Sequence, residues 1–480
     1  MQEYKGTNGI TNSKMGEFIT KVCEQIRWKK THNSISEELL NHMEDQKEAF
    51  VRRGQKEEEA EKNAILQMGD AVAVGQQLDR THRPNPDWGV FILVFLCVLV
   101  SVALRYFISL NNGENGGQAI GYFYSYLKVL PFGMAAMIGM YFADYSLIGK
   151  YPKSLYGVAL AVTLLLFNFA PQLNYVYIHV FYCAVLLIPL YAGFVYSQRG
   201  KGYLGLVYCG AVGVISCIVF EWGPSIVSVW MFSISGAVIL TAGIKKDWFQ
   251  VRKKYALGLV WGPVLFVIMA PFILCFRRFK CMFSTEGDEY GYSYVLKMIR
   301  EFLSNSKLLG RGDLPSFITQ ENFDVVNGRG IEGVLPSWQN DYCLTYMIHK
   351  FGWFTAVMVI ALVVFLLIRL YKIVNKQSSQ LGYIVALGVA MTIVSQCIIF
   401  LLANLGICGW HSHPLPLISP GDISLIVNMG LMGLILSVYR NNSIVRDRII
   451  QIKSVGNFNG SNVEQHSLQL GKWQLTIRKL

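Results

Sequence analysis

Apolar and polar residues fall along this chain in long blocks rather than in single-residue alternation. Ten apolar blocks fill residues 88 to 439: Trp88–Ile108, Tyr124–Asp144, Ser154–Ala170, Tyr175–Tyr196, Tyr203–Phe220, Ser225–Gly243, Tyr255–Phe276, Phe351–Tyr371, Leu381–Leu402 and Ile423–Tyr439. Each is roughly 17–22 residues, enough for a helix to cross about 30 Å of hydrocarbon. A segment in hydrocarbon must satisfy its own backbone hydrogen bonds, and an unbroken apolar run does so as a helix. The expected fold class is all-α: a polytopic membrane protein with about ten transmembrane helices, a large extracellular loop between helices 7 and 8, and a small N-terminal cytoplasmic helical domain.

The first 85 residues have a different rhythm. From Lys14 to Asp79 apolar positions recur at helical spacing, which predicts three or four amphipathic helices. Ser34-Ile35-Ser36-Glu37 has capping-box spacing ahead of Leu39, Leu40 and Met43, and Gly54 is a natural stop. Lys56 to Met68 puts Ala60, Ala64, Ile65 and Met68 on one stripe, and Gly69-Asp70 ends that helix and caps the next. His82 to Pro86 breaks the pattern. The expected organisation is a helical prefix domain over 1–85, a transmembrane domain over 86–440 and a basic cytoplasmic tail over 441–480. The first apolar run begins only at Trp88 and is expected to act as a retained signal-anchor.

Composition sharpens this picture. Of 480 residues, 53% are hydrophobic and only 15% charged, against about 25% charged in a soluble domain. The formal net charge of +12 does not point to nucleic acid, because the cations sit in short loops beside apolar spans. Lys150 and Lys153, Arg199 and Lys201, Lys245, Lys246 and Arg252 to Lys254, Lys372 and Lys376, and finally Arg440, Arg446 and Arg448 occupy alternate connections. By the positive-inside rule these connections and both termini are cytoplasmic. The segment from Arg277 to Lys350 and the loop from Asn404 to Gly421 then face outward. Arg105, Lys128 and Asp144 lie near span ends, where they can snorkel or meet water. No carboxylate sits at mid-span to couple ion movement.

The long polar segment holds the groups capable of chemistry. Asp341 follows Leu335-Pro336-Ser337-Trp338-Gln339-Asn340, and Arg277, Arg278, Lys280 and Arg311 are cations of the same segment. Read locally, an Asp after a proline turn and before an apolar helix is an N-cap or first-turn residue. Leu415-Pro416-Leu417-Ile418-Ser419-Pro420-Gly421 is likewise a Pro/Gly turn leading into a span. His411 and His413 have no third ligand spaced for a metal. Cys281 and Cys343 share the outward loop and could pair on an oxidising face, though spacing cannot supply the geometry.

Taken together, Leu308-Leu309-Gly310-Arg311-Gly312, Leu335-Pro336, Asp341, Phe351-Gly352-Trp353 and Leu415 to Gly421 resemble, in order and spacing, the SEDS family of cell-wall polymerases (FtsW, RodA, SpoVE). That family shows a G-x-G segment, then L-P-E-x-x-T-D-F followed by G-F-x-G, and later L-P-F-I-S-Y-G-G. Ala143-Asp144-Tyr145, Arg278 and Gly291-Tyr292 add to the match. The first 80 residues resemble the HAAS-like helical prefix found on some bacterial permeases and sensors. The resemblance implies a peptidoglycan glycosyltransferase that polymerises lipid-linked disaccharide-peptide (lipid II) on the outer face of the bacterial plasma membrane, in division, shape or sporulation wall synthesis. It implies Asp341 as catalytic base, Arg277, Arg278, Lys280 and Arg311 as cations for the donor pyrophosphate, and Ser419 and Gly421 as shapers of the substrate cavity. A divalent cation (Mg or Mn) and a class B penicillin-binding transpeptidase partner follow from the same resemblance.

The match also has gaps. The N-G-x-x-R-W-I segment of the family reads Asn168-Phe169-Ala170-Pro171-Gln172-Leu173-Asn174-Tyr175 here, and P-D-x-G reads Pro224-Ser225-Ile226-Val227. Around Asp341 the family Glu is Ser337, its Thr is Asn340, and the Glu before Gly-Phe gives way to His349-Lys350. Pro420 and Asp422 replace a Tyr and a Gly. A catalytically impaired scaffold or regulator of wall synthesis and a lipid-linked precursor flippase therefore stand as alternatives.

Overall fold

The computed structural model describes residues 14–82, 86–111, 116–169, 172–173, 176–223, 225–274, 276, 292–315, 331–407, 413–419, 421–442, 467–470 and 473–476. The chain divides into two compact units, Met1–Pro86 with Arg440–Arg446, and Asp87–Tyr439 with Asp447–Leu480.

The first unit contains four helices: α1 (Lys14–Gln25), α2 (His32–Arg52), α3 (Glu57–Met68) and α4 (Ala71–His82). Phe18, Ile19, Val22, Ile35, Leu39, Met43 and Ala64 form its buried core, as the helical spacing requires. Gly54 and Gly69 take positive φ (90° and 82°), ending α2 and α3 where an L side chain would be strained. The Asp70 carboxylate accepts from Ala73 N at 3.0 Å and caps α4. The capping-box expectation at Ser34 is corrected: α2 starts at His32, after a 3-10 turn in which the Thr31 hydroxyl donates to the Trp28 carbonyl. Ser36 faces Cys23 at 3.3 Å. The unit is closed by Arg27, whose guanidinium and main-chain N–H reach Asp79 at 2.8–3.1 Å. Residues 83–85 of the predicted breaker lie outside the described residues.

The second unit is an all-α membrane domain. Its long helices are α5 (Trp88–Asn111), α6 (Gly116–Phe142), α8 (Pro152–Phe169), α9 (Ile178–Ser197), α10 (Gly202–Trp222), α11 (Ile226–Lys245) and α12 (Lys253–Leu274), with the short α7 (Ser146–Lys150) before α8. Beyond the long loop come α16 (Trp353–Asn375), α17 (Gln380–Asn404) and α18 (Asp422–Arg440). Each predicted span coincides with one of these ten long helices. Among the described residues eight are long and apolar enough to cross a membrane, and α6 and α8 are the other two. Between α8 and α9 the chain makes a two-residue antiparallel ladder, Gln172–Leu173 against Val176–Tyr177.

Close helix approaches set the bundle's shape. A Cβ on Gly433 of α18 would strike the Met137 carbonyl of α6, and one on Gly388 of α17 would come within 3.1 Å of Pro189 in α9. Small residues that let backbones meet are the usual basis of helix packing in lipid, where hydrophobic association is weak. α9, α11 and α17 are the most enclosed of the spans. Their apolar surface is therefore spent on other helices, whereas α12 is open along most of its length.

Two charges depart from the sequence reading. Arg105 does not snorkel: it is 7% exposed, with its guanidinium 5.8 Å from the centre of the Tyr126 ring. Arg369, inside the eighth predicted span, is paired at 2.8 Å with Asp87 at the start of α5. Those residues are 282 positions apart, so only the folded bundle reveals the pair.

Candidate active site

The loop between α12 and α16 contains three described helices: α13 (Tyr292–Ser304), α14 (Ile331–Val334) and α15 (Cys343–Phe351). α13 buries Leu296, Ile299, Phe302 and Leu303 and donates from Arg300 Nε to the Gly406 carbonyl at 2.7 Å. Residues 307–312 form a strap stitched to the α15–α16 turn through main-chain bonds: Gly310 N to Phe351 O, Gly312 N to His349 O, Trp353 N to Lys307 O and Phe354 N to Leu308 O, at 2.7–3.2 Å. Gly352 has φ of 99°, and a Cβ there would meet the Leu308 carbonyl at 2.5 Å. That explains physically why this loop needs glycines at 310, 312 and 352.

Asp341 sits in the tight turn between α14 and α15. Ser337 adopts φ of 50°, and its carbonyl accepts from the N–H groups of Asn340, Asp341 and Tyr342 at 2.9–3.2 Å. The capping reading is not realised. The residue before α15 is Tyr342, which makes no side-chain cap, while the Asp341 side chain is hydrogen-bonded to Ser337. Burial pushes the Asp341 carboxyl up from the ordinary carboxylate range to about 7, with the Ser337 bond offsetting part of that rise. A carboxylate destabilised by desolvation in this way is a stronger base than one in water. At the far end of α15, His349 is buried against Phe302, and that burial lowers its basicity.

Two further elements fix this turn. Asn404, at the end of α17, donates from Nδ2 to the Asp341 carbonyl at 2.8 Å, and its Oδ1 accepts from Thr345 N at 3.1 Å. In the 415–421 turn, Ser419 Oγ lies 2.8 Å from Leu415 N and 2.9 Å from Cys343 Sγ. Burial, with smaller opposing contributions, pushes that thiol up to about 12, so it stays protonated. Cys343 is free and turned toward Ser419, which corrects the proposed pairing with Cys281; Cys281 itself lies outside the described residues.

A polar track continues from the turn into the bundle. Tyr182 of α9 is within electrostatic reach of both Asp341 and Asp422, and its hydroxyl is hydrogen-bonded with Ser424. Ser424 is bonded to Asn428, one helical turn further along α18. Asn428 exchanges amide bonds with Gln396 of α17 at 3.0 and 3.2 Å. On the other flank, Tyr126 of α6 is within electrostatic reach of Asp422 and Arg105, and its hydroxyl lies 2.6 Å from Ser101. Buried polar groups in a membrane bundle are costly unless paired, and these are paired with one another.

The sequence-predicted residues have different fates. The structure brings Asp341, Ser419 and Gly421 into one region. It holds Ser419 2% exposed with its hydroxyl engaged as above, and it packs Gly421 against Pro414 and Ser424. Arg311 is exposed on the strap and acts electrostatically on His349, about 12 Å along α15 from Asp341 at 1.5 Å per residue. Arg277, Arg278, Lys280 and His411 lie outside the described residues, and His413 stacks on Phe181 at 3.6 Å. Among the described residues no group of three or more His, Cys, Asp or Glu side chains converges as a metal cage. Sequence reasoning missed Tyr182, Asn404, Ser424, Asn428 and Gln396. The available signal was the four-residue spacing of Ser424 with Asn428 and of Thr392 with Gln396, each on one face of an apolar helix.

Residues 228–444 match the FtsW/RodA/SpoVE cell cycle protein family. The chain is 26% identical over 251 residues to the probable peptidoglycan glycosyltransferase FtsW of Enterococcus hirae, covering 50% of this chain and 59% of that relative. It is 23% identical over 274 residues to the protein of the same description in Bacillus subtilis, covering 53% and 62% respectively. The matched region thus spans about three-fifths of these two relatives. A chain from a structure described as structural coordination of polymerization and crosslinking by a peptidoglycan synthase complex superposes with a TM-score of 0.56 at 16% identity, covering 74% of this chain and 98% of that one. That likeness establishes the shared fold of the membrane unit. The loop, the Leu415–Gly421 turn and the last three spans all lie inside the matched region, so the likeness of this chain to the FtsW/RodA/SpoVE family rests on its C-terminal half.

Proposed function

We propose that this protein is a peptidoglycan glycosyltransferase that extends glycan from a polyprenyl-pyrophosphate-linked sugar, with Asp341 as the general base. In the reaction the acceptor sugar hydroxyl attacks the anomeric carbon of the donor. The new C–O bond forms as the bond to pyrophosphate breaks, the electron pair leaves with the pyrophosphate, and the hydroxyl proton passes to Asp341. One displacement inverts the anomeric centre. The observation that carries this reading is the Asp341 carboxyl, buried and poised near neutrality in the turn before α15 and held at its main chain by Asn404. A base tuned close to working pH combines an adequate ionised fraction with adequate basicity. The relatives' description as probable peptidoglycan glycosyltransferases supports the same reading.

A divalent cation at this site would draw most of its ligands from pyrophosphate oxygens and water, as magnesium commonly does, with Asp341 or Asp422 as the protein carboxylates at hand. The alternating basic connections support an orientation with both termini cytoplasmic and the Asp341 loop outside. The complex named in the structural comparison supports a transpeptidase of the class B penicillin-binding type as partner. The deciding experiment is polymerisation of lipid II by purified protein, comparing wild type with Asp341→Ala. Glycan from wild type alone is the expected result, and equal glycan from both would remove Asp341 from the mechanism. The second reading, a scaffold or regulator of wall synthesis, is favoured by Ser337, Asn340 and Lys350 where the family pattern has Glu, Thr and Glu. It is supported instead if neither protein makes glycan and deletion still causes wall defects.

A further inference from the structure

The first membrane-spanning helix contains a cation that the reading above leaves without a task. Arg105 lies six residues before the end of α5, about 9 Å of helix rise from that end. It is 7% exposed. Chain direction through the spans puts that end of α5 on the same side of the membrane domain as the α12–α16 loop. An ionisable side chain inside a membrane bundle costs several kcal/mol and by default marks a functional position. Its surroundings are built rather than incidental. Tyr126 presents its ring face to the guanidinium at 5.8 Å, and Ser101, one turn earlier on α5, fixes the Tyr126 hydroxyl at 2.6 Å. Tyr126 also feels Asp422, and Asp422 and Asp341 both act on Tyr182. Arg105 and Asp341 are thus linked electrostatically, through Tyr126, Asp422 and Tyr182, across α5, α6, α9, α18 and the Asp341 turn.

We infer that Arg105 binds the pyrophosphate of the polyprenyl-linked donor and neutralises the charge that develops on it as the glycosidic bond forms. This rests on the function proposed above. A guanidinium suits the task because its planar fork makes two parallel bonds to phosphate oxygens, and because it is more weakly hydrated than an ammonium group when buried. Arg311 is exposed at the far end of α15, so Arg105 is the described cation best enclosed beside the site. The alternative is a purely structural role, in which Arg105 does no more than clamp α5 to α6 through the Tyr126 ring.

The test is binding of undecaprenyl pyrophosphate to the full-length protein in detergent, with undecaprenol and inorganic pyrophosphate as comparison ligands, for wild type, Arg105→Lys and Arg105→Gln. We expect Arg105→Lys to weaken undecaprenyl pyrophosphate binding about tenfold and Arg105→Gln by more than about thirtyfold, from loss of the fork and then of the charge. Undecaprenol binding should not change. Inorganic pyrophosphate should compete in wild type and lose that ability in Arg105→Gln, which distinguishes the phosphate group from the lipid tail as the source of the effect. Unchanged undecaprenyl pyrophosphate affinity in folded variants overturns the assignment. If neither variant folds, a photoactivatable undecaprenyl pyrophosphate analogue on wild type decides. Labelling within residues 101–126 upholds the inference, and labelling confined to other segments rejects it. Lipid II polymerisation by the same wild-type preparation keeps the two ideas separate. Glycan synthesis with Arg105-independent binding sinks only this inference, while Arg105-dependent binding without glycan sinks the enzymatic reading and the charge-neutralising role with it, and upholds Arg105 as a pyrophosphate-binding residue.

Discussion

Asp341 titrates where a working base would, and the sign of that shift sets two opposing pH effects. Its folded pKa of about 7 lies above the ordinary carboxylate value of roughly 3.9. The folded state therefore retains its proton while the unfolded state loses it. The associated stability is fully present below about pH 4 and is lost as pH rises through about 7. Activity should move the other way, since only the ionised form accepts a proton: glycan synthesis should climb as pH rises through about 7. Asp341→Asn should abolish synthesis yet stabilise the protein at pH 8, by roughly 4 kcal/mol at most. A thermal melt at pH 5 and pH 8 for both proteins checks this, and an Asn variant melting lower at pH 8 would contradict the burial argument. Asp341 was legible from its proline turn and its place in a family-like loop. Ser337, its actual partner, was legible only as a missing glutamate, because the positive φ that brings its hydroxyl to the carboxylate leaves no mark in residue type. Tyr182 and Asn404 were not legible at all. A lone Tyr or Asn in an apolar run has the same local sequence whether it faces lipid or a buried carboxylate.

At the scale of elements, the ten long helices follow directly from run length and hydropathy, with ends shifted by a few residues. Which helices touch does not follow from these. The Asp87–Arg369 pair shows why: each residue alone reads as a charge at a helix end or in a span, and their attraction appears only when α5 lies beside α16. The pair is asymmetric, with Asp87 2% exposed and Arg369 38% exposed. Arg369→Gln leaves a carboxylate buried without its cation and should cost about 2–3 kcal/mol, less than a fully buried pair because Arg369 is partly solvated. Asp87→Asn keeps the acceptor that bonds Val90 N at 3.2 Å and lets Arg369 reach water, so it should cost about 1 kcal/mol. Detergent-melting curves of the two variants give the comparison, and equal losses would mean that burial does not set the asymmetry. Gly433→Leu should be worse than either. Its side chain would enter the space of the Met137 carbonyl, forcing α6 and α18 apart at a cost of about 3 kcal/mol or more. Recovery of folded, monodisperse protein reads that out.

For the whole molecule, sidedness is the property everything else uses. Epitope tags inserted at exposed Leu309 and at each terminus, probed in intact and permeabilised cells, should place Leu309 outside and both ends inside. Tags reporting Leu309 and the ends on one side would remove the sugar chemistry from the outer face and with it the proposed function. Sequence alone predicts this arrangement because lysines and arginines mark every second connection. It could not foresee the composition of the site, assembled from α5, α6, α9, α17, α18 and the long loop, since nothing in a linear pattern of spans records their circular order.

The strap at residues 307–312 has one more implication. It is fastened by amides and carbonyls, so apart from its glycines its attachment is indifferent to which side chains it displays. Leu308 and Leu309 point away from the fastening, 78% and 70% exposed. Evolution can therefore redraft this outward lettering without loosening the binding of the page, and related chains can wear different recognition marks on an unchanged frame.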